Sequence, residues 1–140
     1  MRYLIATLLV MSVTLVGAVT QYGARADNSA LERRANQLAA GIHVWEMHCA
    51  RCHDFSRPRM GTERLAMRIG ARELAWHGTT AQLMHYVEHY MPFDKPNTLA
   101  EQEYLDVVAY LLARSELLPL GVEVSRETLG AITLPPYLGD

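Results

Sequence analysis

The first of three helical patterns in the chain precedes its only cysteines. Its apolar positions are Leu31, Ala35, Leu38, Ile42 and Trp45. Apolar side chains that recur every three or four residues lie on one face of a helix. This spacing predicts a helix from about Ser29 to Cys49.

The second pattern is the stretch "TTAQLMHYVEHY". It begins with a threonine, a residue type that caps helix starts. Its apolar residues Leu83, Val87 and Tyr90 are expected on one face. Pro92 disfavours helical geometry at the residue before it, so this short helix should end at Met91.

The third pattern, "TLAEQEYLDVVAYLLARS", is the clearest. Thr98 and Glu101 have the spacing of a capping box. The apolar positions that follow the helical repeat are Tyr104, Val107, Val108, Leu111 and Leu112. An amphipathic helix is therefore expected over this stretch.

The remaining segments lack a strong pattern. Pro58, Gly61 and Gly70 interrupt the stretch after the cysteines, which predicts a loop with one short helix after Thr62. The tail contains a Pro-Pro pair and short apolar clusters, which indicate an irregular strap packed on the body. Because no strand pattern is strong, the predicted class is all-α.

The N-terminus has the order of a secretory signal peptide. A short positive start precedes an uncharged apolar run, Leu4 to Val19, and Ala24 to Ala26 offers a small-x-small cleavage site. The run is shorter than the roughly 20 residues of a membrane span. We therefore expect residues 1–26 to be cleaved and residues 27–140 to form one domain in the periplasm. An uncleaved membrane anchor is the alternative.

The two cysteines, Cys49 and Cys52, stand three positions apart, and His53 follows directly. A structural zinc site takes four ligands, usually from two such pairs, and the chain has no second pair. A thioredoxin-type dithiol follows a strand, whereas this pair ends a predicted helix. A simple disulfide is compatible with export but leaves His53 without a role.

Covalent attachment of haem c accounts for all three residues. Two thiols must reach two vinyl groups at one edge of the porphyrin, and residues three apart lie on the same side of a helical turn. The next residue then lies under the ring, where its imidazole can bind iron. We therefore predict one covalent haem c, attached through Cys49 and Cys52, with His53 as an iron ligand.

With this motif the chain resembles a class I monohaem cytochrome c over nearly all of Leu38 to Leu134. Gly41 and Trp45 match a family glycine and aromatic that cross the C-terminal helix, where Val107 and Tyr110 are the matching residues. The stretch "YMPFDKPNTLAEQEYLDVVAYLL" is similar to a pattern of cytochrome subunits that accompany periplasmic quinoprotein and sulfur-compound dehydrogenases. The tail also resembles the end of those domains.

The resemblance implies that Met91 is the second axial ligand of the iron, 38 residues after His53. Alternatives for that position are Met60, Met67, Met84, His85 and His89. The chain departs from the family after the haem histidine. "DFSRPRMG" replaces the usual glycine-rich loop. Pro58 follows His53 by only five residues, so the sequence does not identify the carbonyl that would orient the His53 imidazole.

The charge of the chain limits the kinds of partner that it can bind. Without the signal peptide the chain has 11 Lys+Arg against 15 Asp+Glu, which argues against nucleic acid. The stretch from Arg51 to Arg72 contains six arginines and only two acidic residues, Asp54 and Glu63. This basic region is either an ordinary solvated surface, a source of one propionate-pairing arginine beside Trp76, or a docking patch for an acidic partner.

Together these features predict a one-electron carrier rather than an enzyme. The expected donor is a periplasmic dehydrogenase, and the expected acceptor is an oxidase or a membrane cytochrome. The alternatives are a haem-bearing subunit of a dehydrogenase complex, and a haem sensor or enzyme with a labile sixth ligand.

Overall fold

The computed structural model describes residues 28–53 and 69–138. Within these ranges the chain is helical and contains no strand, so the all-α prediction is confirmed. The signal peptide, Met60, Met67, the arginines from 57 to 68 and residues 62–68 of the stretch predicted to contain a short helix lie outside the described residues.

Helix α1 covers residues 28–53 and includes one irregular turn. It is α-helical over 28–44, widens to a π turn at Trp45–Cys49, and resumes as α-helix at Ala50–His53. The helix therefore continues through the cysteines instead of ending at Cys49. π turns inside α-helices are rare and are frequent at functional sites, and the apolar pattern does not reveal this one.

The other helices are short to medium in length. Helix α2 covers Ala71–Ala75, α3 covers Thr80–Tyr90 and α4 covers Glu101–Arg114, and a 3₁₀ turn follows at Leu129–Ala131. In the described ranges no helix is both long and apolar enough to cross a membrane.

Helix α3 begins and ends where the sequence predicts. The Thr79 hydroxyl accepts a hydrogen bond from the Gln82 N–H at 3.1 Å, and Met91 leaves the helix with extended backbone. The predicted apolar face was wrong at one position, because Tyr90 is 56 % exposed. Met84, at the next position after Leu83, is fully buried instead.

The predicted start of α4 was also wrong. Ala100 is the N-cap, and its N–H donates to the Glu103 carboxylate at 2.7 Å. Thr98 instead donates its hydroxyl to the Lys95 carbonyl within the preceding loop, at 2.7 Å. The sequence allows two capping-box registers, Thr98 with Glu101 and Ala100 with Glu103. The structure adopts the second.

Helices α1 and α4 cross at Gly41. A Cβ built on Gly41 would overlap the Asp106 carbonyl and lie 2.9 Å from the Tyr110 Cβ. One turn further, the rings of Trp45 and Tyr110 lie 5.8 Å apart. The crossing expected from the resemblance is therefore present, and a glycine is needed there because the helix backbones nearly touch.

The tail forms the predicted strap along the helices. Its apolar residues Leu118, Val124, Leu129, Ile132 and Leu134 are buried. The side chain of Gln37 on α1 donates to the Val124 carbonyl and accepts from its N–H, both at 2.8 Å. Thr80 on α3 donates to the Ile132 carbonyl at 2.7 Å. These bonds satisfy strap backbone groups that burial removes from water.

Candidate functional site

Cys49, Cys52 and His53 lie together at the C-terminal end of α1. Cys49 is the last residue of the π turn, and the other two belong to the α-helical turn that ends the helix. Cys49 is partly buried and Cys52 is exposed, and both are free thiols. One thiol thus faces the packed side of the helix end and the other faces outward.

The Cys49 thiol is held in its protonated form. Burial, with a smaller contribution from Cys52, raises its pKa from 9.0 to about 11. This apolar environment disfavours a charged thiolate at Cys49. It is compatible with a neutral thioether, which carries no charge to desolvate.

His53 lines an apolar cavity. The His53 ring lies 6.0 Å from the Trp45 ring, so the α1–α4 crossing supports it from behind. The cavity has a volume of about 260 Å³. The other residues that line it are Ile69, Arg72, Glu73, Leu74, Trp76, His77, Leu83, Tyr86, Val87, Leu111 and Tyr137.

The chemistry of this lining suits a flat, largely apolar macrocycle. Leu74, Leu83, Val87 and Leu111 come from three helices and form an apolar wall, and aromatic rings supply broad flat contacts. The charged residues Arg72 and Glu73 belong to the same lining, 3.7 Å from each other. Burial lowers the pKa of His77, which favours its neutral form beside the cavity.

Met91 lies at the end of α3, half-buried against the core. Its N–H donates to the Val87 carbonyl at 3.1 Å, and its carbonyl accepts from the Tyr104 hydroxyl at 3.1 Å. Met91 is not among the residues that line the cavity with His53. The structure therefore fixes the Met91 backbone, and Met91 as an iron ligand stays a prediction.

An ion pair joins the cysteine motif to the Met91 loop. The Arg51 guanidinium, between the two cysteines, bonds the Asp94 carboxylate at 2.6 Å. Asp94 is three residues after Met91, so the two predicted ligand segments lie side by side. The Asp94 interaction raises the pKa of Arg51 further. Sequence reasoning missed this contact, because a lone arginine and a distant aspartate carry no signal of pairing.

The family comparison decides the class of the protein. A model of the family described as cytochrome c oxidase, cbb3-type, subunit III matches residues 36–111. The chain belongs to this cytochrome c family. Neither the curated proteins nor the solved structures give a match.

Membership in this cytochrome c family implies haem c with its iron and a role in electron transfer. It agrees with the helical fold and with the resemblance to class I cytochromes. The narrower likeness to subunits of quinoprotein and sulfur-compound dehydrogenases is not reached by the match and stays a prediction.

The described rivals of Met91 in this cytochrome c differ in exposure. Met84 is fully buried within the core, the ordinary position of a packing methionine. His85 and His89 are exposed on the outer face of α3 and do not line the cavity. Met60, Met67 and Pro58 lie outside the described residues.

Of the basic region from Arg51 to Arg72, only its two ends are described. Arg51 pairs with Asp94, and Arg72 lines the cavity with Trp76. The indole of Trp76 is 67 % exposed. The proximity of Arg72 and Trp76 is compatible with the predicted propionate contacts, whereas docking of an acidic partner stays a prediction.

Proposed function

We propose that this cytochrome is a periplasmic one-electron carrier with a single haem c. Cys49 and Cys52 would hold the haem covalently, and His53 and Met91 would be its axial ligands. It would take electrons from a dehydrogenase and pass them to an oxidase or a membrane cytochrome. The protein would be a carrier and not an enzyme.

One observation carries the proposal: the helix end that bears both thiols places His53 in an apolar cavity. The two thiols lie three residues apart at that helix end, and the imidazole of His53 lines the space that the porphyrin would occupy. Apolar walls limit access of water, and a drier site raises the reduction potential of a haem.

The chemistry that haem supplies when bound is reversible one-electron reduction of its iron. The chain contributes position. His53 is backed by Trp45, and the Met91 backbone is fastened to Tyr104. Two protein ligands would occupy both axial positions and exclude exogenous ligands, which suits a carrier. A thioether as the second ligand would raise the potential further.

A second candidate is a permanent haem-bearing subunit of a respiratory complex. The matched family is described as subunit III of an oxidase. Phe93, in the loop after Met91, is 86 % exposed, and Trp76 and Tyr90 are also exposed. Large exposed apolar groups of this kind are frequent at protein interfaces. Recovery of the native protein as a monomer would favour the carrier.

Visible spectroscopy of the purified holoprotein tests the proposal. Intact mass after denaturation should exceed that of the polypeptide by one haem. The oxidised wild type should show the weak far-red band of methionine–iron coordination, and the reduced form should not bind carbon monoxide readily. Met91→Ala should lose the band, drop in potential and gain carbon monoxide binding.

Met47→Ala is the matched control, because Met47 is 64 % exposed on α1. It should keep the far-red band and the potential. A band that survives in Met91→Ala would assign the ligand to another methionine. Rapid carbon monoxide binding by the wild type would favour a sensor or enzyme with a labile sixth ligand.

A further inference from the structure

We propose that His85 and His89 form a binding site for a borderline divalent metal ion, Cu²⁺, Ni²⁺ or Zn²⁺, on the outer face of α3. The two histidines stand one helical turn apart, and both are exposed. Their ring centroids lie 4.0 Å apart. Two imidazoles at this spacing on one helix face are a common way to chelate such ions.

The orientation of His89 favours metal binding. Its Nδ1 lies 2.9 Å from the His85 carbonyl oxygen. Since a carbonyl only accepts, Nδ1 must carry the proton, and the lone pair then resides on Nε2. Histidine ligands in metal sites characteristically donate their second N–H to a backbone carbonyl in this way, which fixes the tautomer and the ring direction.

The spacing of the rings agrees with chelation. Zinc–nitrogen bonds of about 2.0–2.1 Å place two tetrahedral ligand atoms about 3.3 Å apart. The ring centroids lie 4.0 Å apart, a distance of the same order as this separation. No group of three or more metal-binding side chains occurs in the part of the chain that the structure describes. Water would therefore complete the coordination.

Glu88 decides what kind of site this is. His85, Glu88 and His89 reproduce the H-x-x-E-H spacing of a class of zinc hydrolases, in which the glutamate acts in catalysis. Here the two Glu88 carboxylate oxygens are bound by the Arg126 guanidinium, which also bonds Glu101. The carboxylate is thus held by the strap, and the pair of histidines binds a metal without a catalytic base.

Metal titration of the oxidised holoprotein tests the site. Zn²⁺ binding is measured by calorimetry, and nitrogen hyperfine coupling from bound Cu²⁺ is measured by electron paramagnetic resonance. One ion should bind per chain. His85→Gln or His89→Gln should each weaken Zn²⁺ binding about tenfold or more, since even loss of an outer contact to a metal ligand costs that much.

His43→Gln is the matched control, because His43 is a histidine exposed on α1. It should leave the Zn²⁺ affinity and the Cu²⁺ spectrum unchanged. Circular dichroism and the haem spectrum should be the same in all three variants, so that loss of binding reports the site alone. Absence of Zn²⁺ binding in the wild type, or equal binding in all variants, would overturn the proposal.

Discussion

The crossing of α1 and α4 at Gly41 predicts that replacing this glycine by alanine destabilises the protein, although the same replacement usually stabilises a helix. In an ordinary helix interior, replacing glycine by alanine stabilises the protein by about 0.8–1.0 kcal/mol. Gly41→Ala adds a methyl group that overlaps the Asp106 carbonyl and crowds the Tyr110 Cβ. Destabilisation is therefore expected.

The magnitude follows from what the methyl group meets. Extra methyl or methylene groups in a packed interior cost about 1–3 kcal/mol, occasionally more. The upper part of this range applies here, because the overlapped atom belongs to the α4 backbone and cannot rotate away. After the gain in helix propensity is subtracted, Gly41→Ala should lower the free energy of unfolding by about 2 kcal/mol.

Denaturant unfolding of the holoprotein measures this difference. The midpoint of Gly41→Ala should fall without a change in the denaturant slope, since one added methyl group hardly changes the surface exposed on unfolding. Gly130→Ala is the control, because a Cβ there meets nothing within 4 Å. It should stay within about 0.5 kcal/mol of the wild type.

Equal or greater stability of Gly41→Ala would refute the reasoning. It would mean that the helices separate without cost, so that the crossing is loose. A fall of the same size in Gly130→Ala would show that the loss at Gly41 does not come from the overlap with the Asp106 carbonyl.

Three further outcomes are expected. Gln37→Leu should lower the free energy of unfolding by about 1–3 kcal/mol for each Val124 backbone group left without a partner, measured by denaturant titration. Asp94→Asn, which removes the ion pair with Arg51, should speed imidazole binding to the oxidised haem, whereas an unchanged rate would show that the pair does not hold the Met91 loop. Burial lowers the pKa of His77 in the folded protein, so the unfolded chain binds a proton at His77 more readily. The contribution of His77 to the free energy of unfolding should therefore be fully present above pH 6.5 and be lost as the pH falls below it. His77→Gln should reduce this dependence of the unfolding midpoint on pH.

Local rules predicted those parts of the fold that depend on local chemistry. The periodic apolar face of α4, the Thr79 cap and the end of α3 before Pro92 all follow from neighbours within one or two turns. Tyr90 was misassigned because periodicity alone does not tell where a helix end leaves the core. Its hydroxyl and its position in the last turn allow it to remain in water.

The candidate site also contains features that local sequence predicts and features that depend on the fold. The Cys49–His53 motif is read from spacing within a single turn. The π turn before it, the Arg51–Asp94 pair and the Tyr104 bond to Met91 join residues whose contact depends on the fold. Sequence spacing contains no information on such contacts unless a known pattern already places them.

Helix α4 positions the segments that carry both proposed iron ligands. On one side it receives α1 through the Gly41 crossing and the contact of Tyr110 with Trp45, which in turn lies against His53. On the other side its Tyr104 hydroxyl bonds the Met91 carbonyl. A rigid helix that locates both segments would keep ligand geometry similar in the oxidised and reduced states, which is what rapid electron transfer requires. Gly41→Ala should therefore also weaken the methionine–iron band, although Gly41 lies three helical turns from His53.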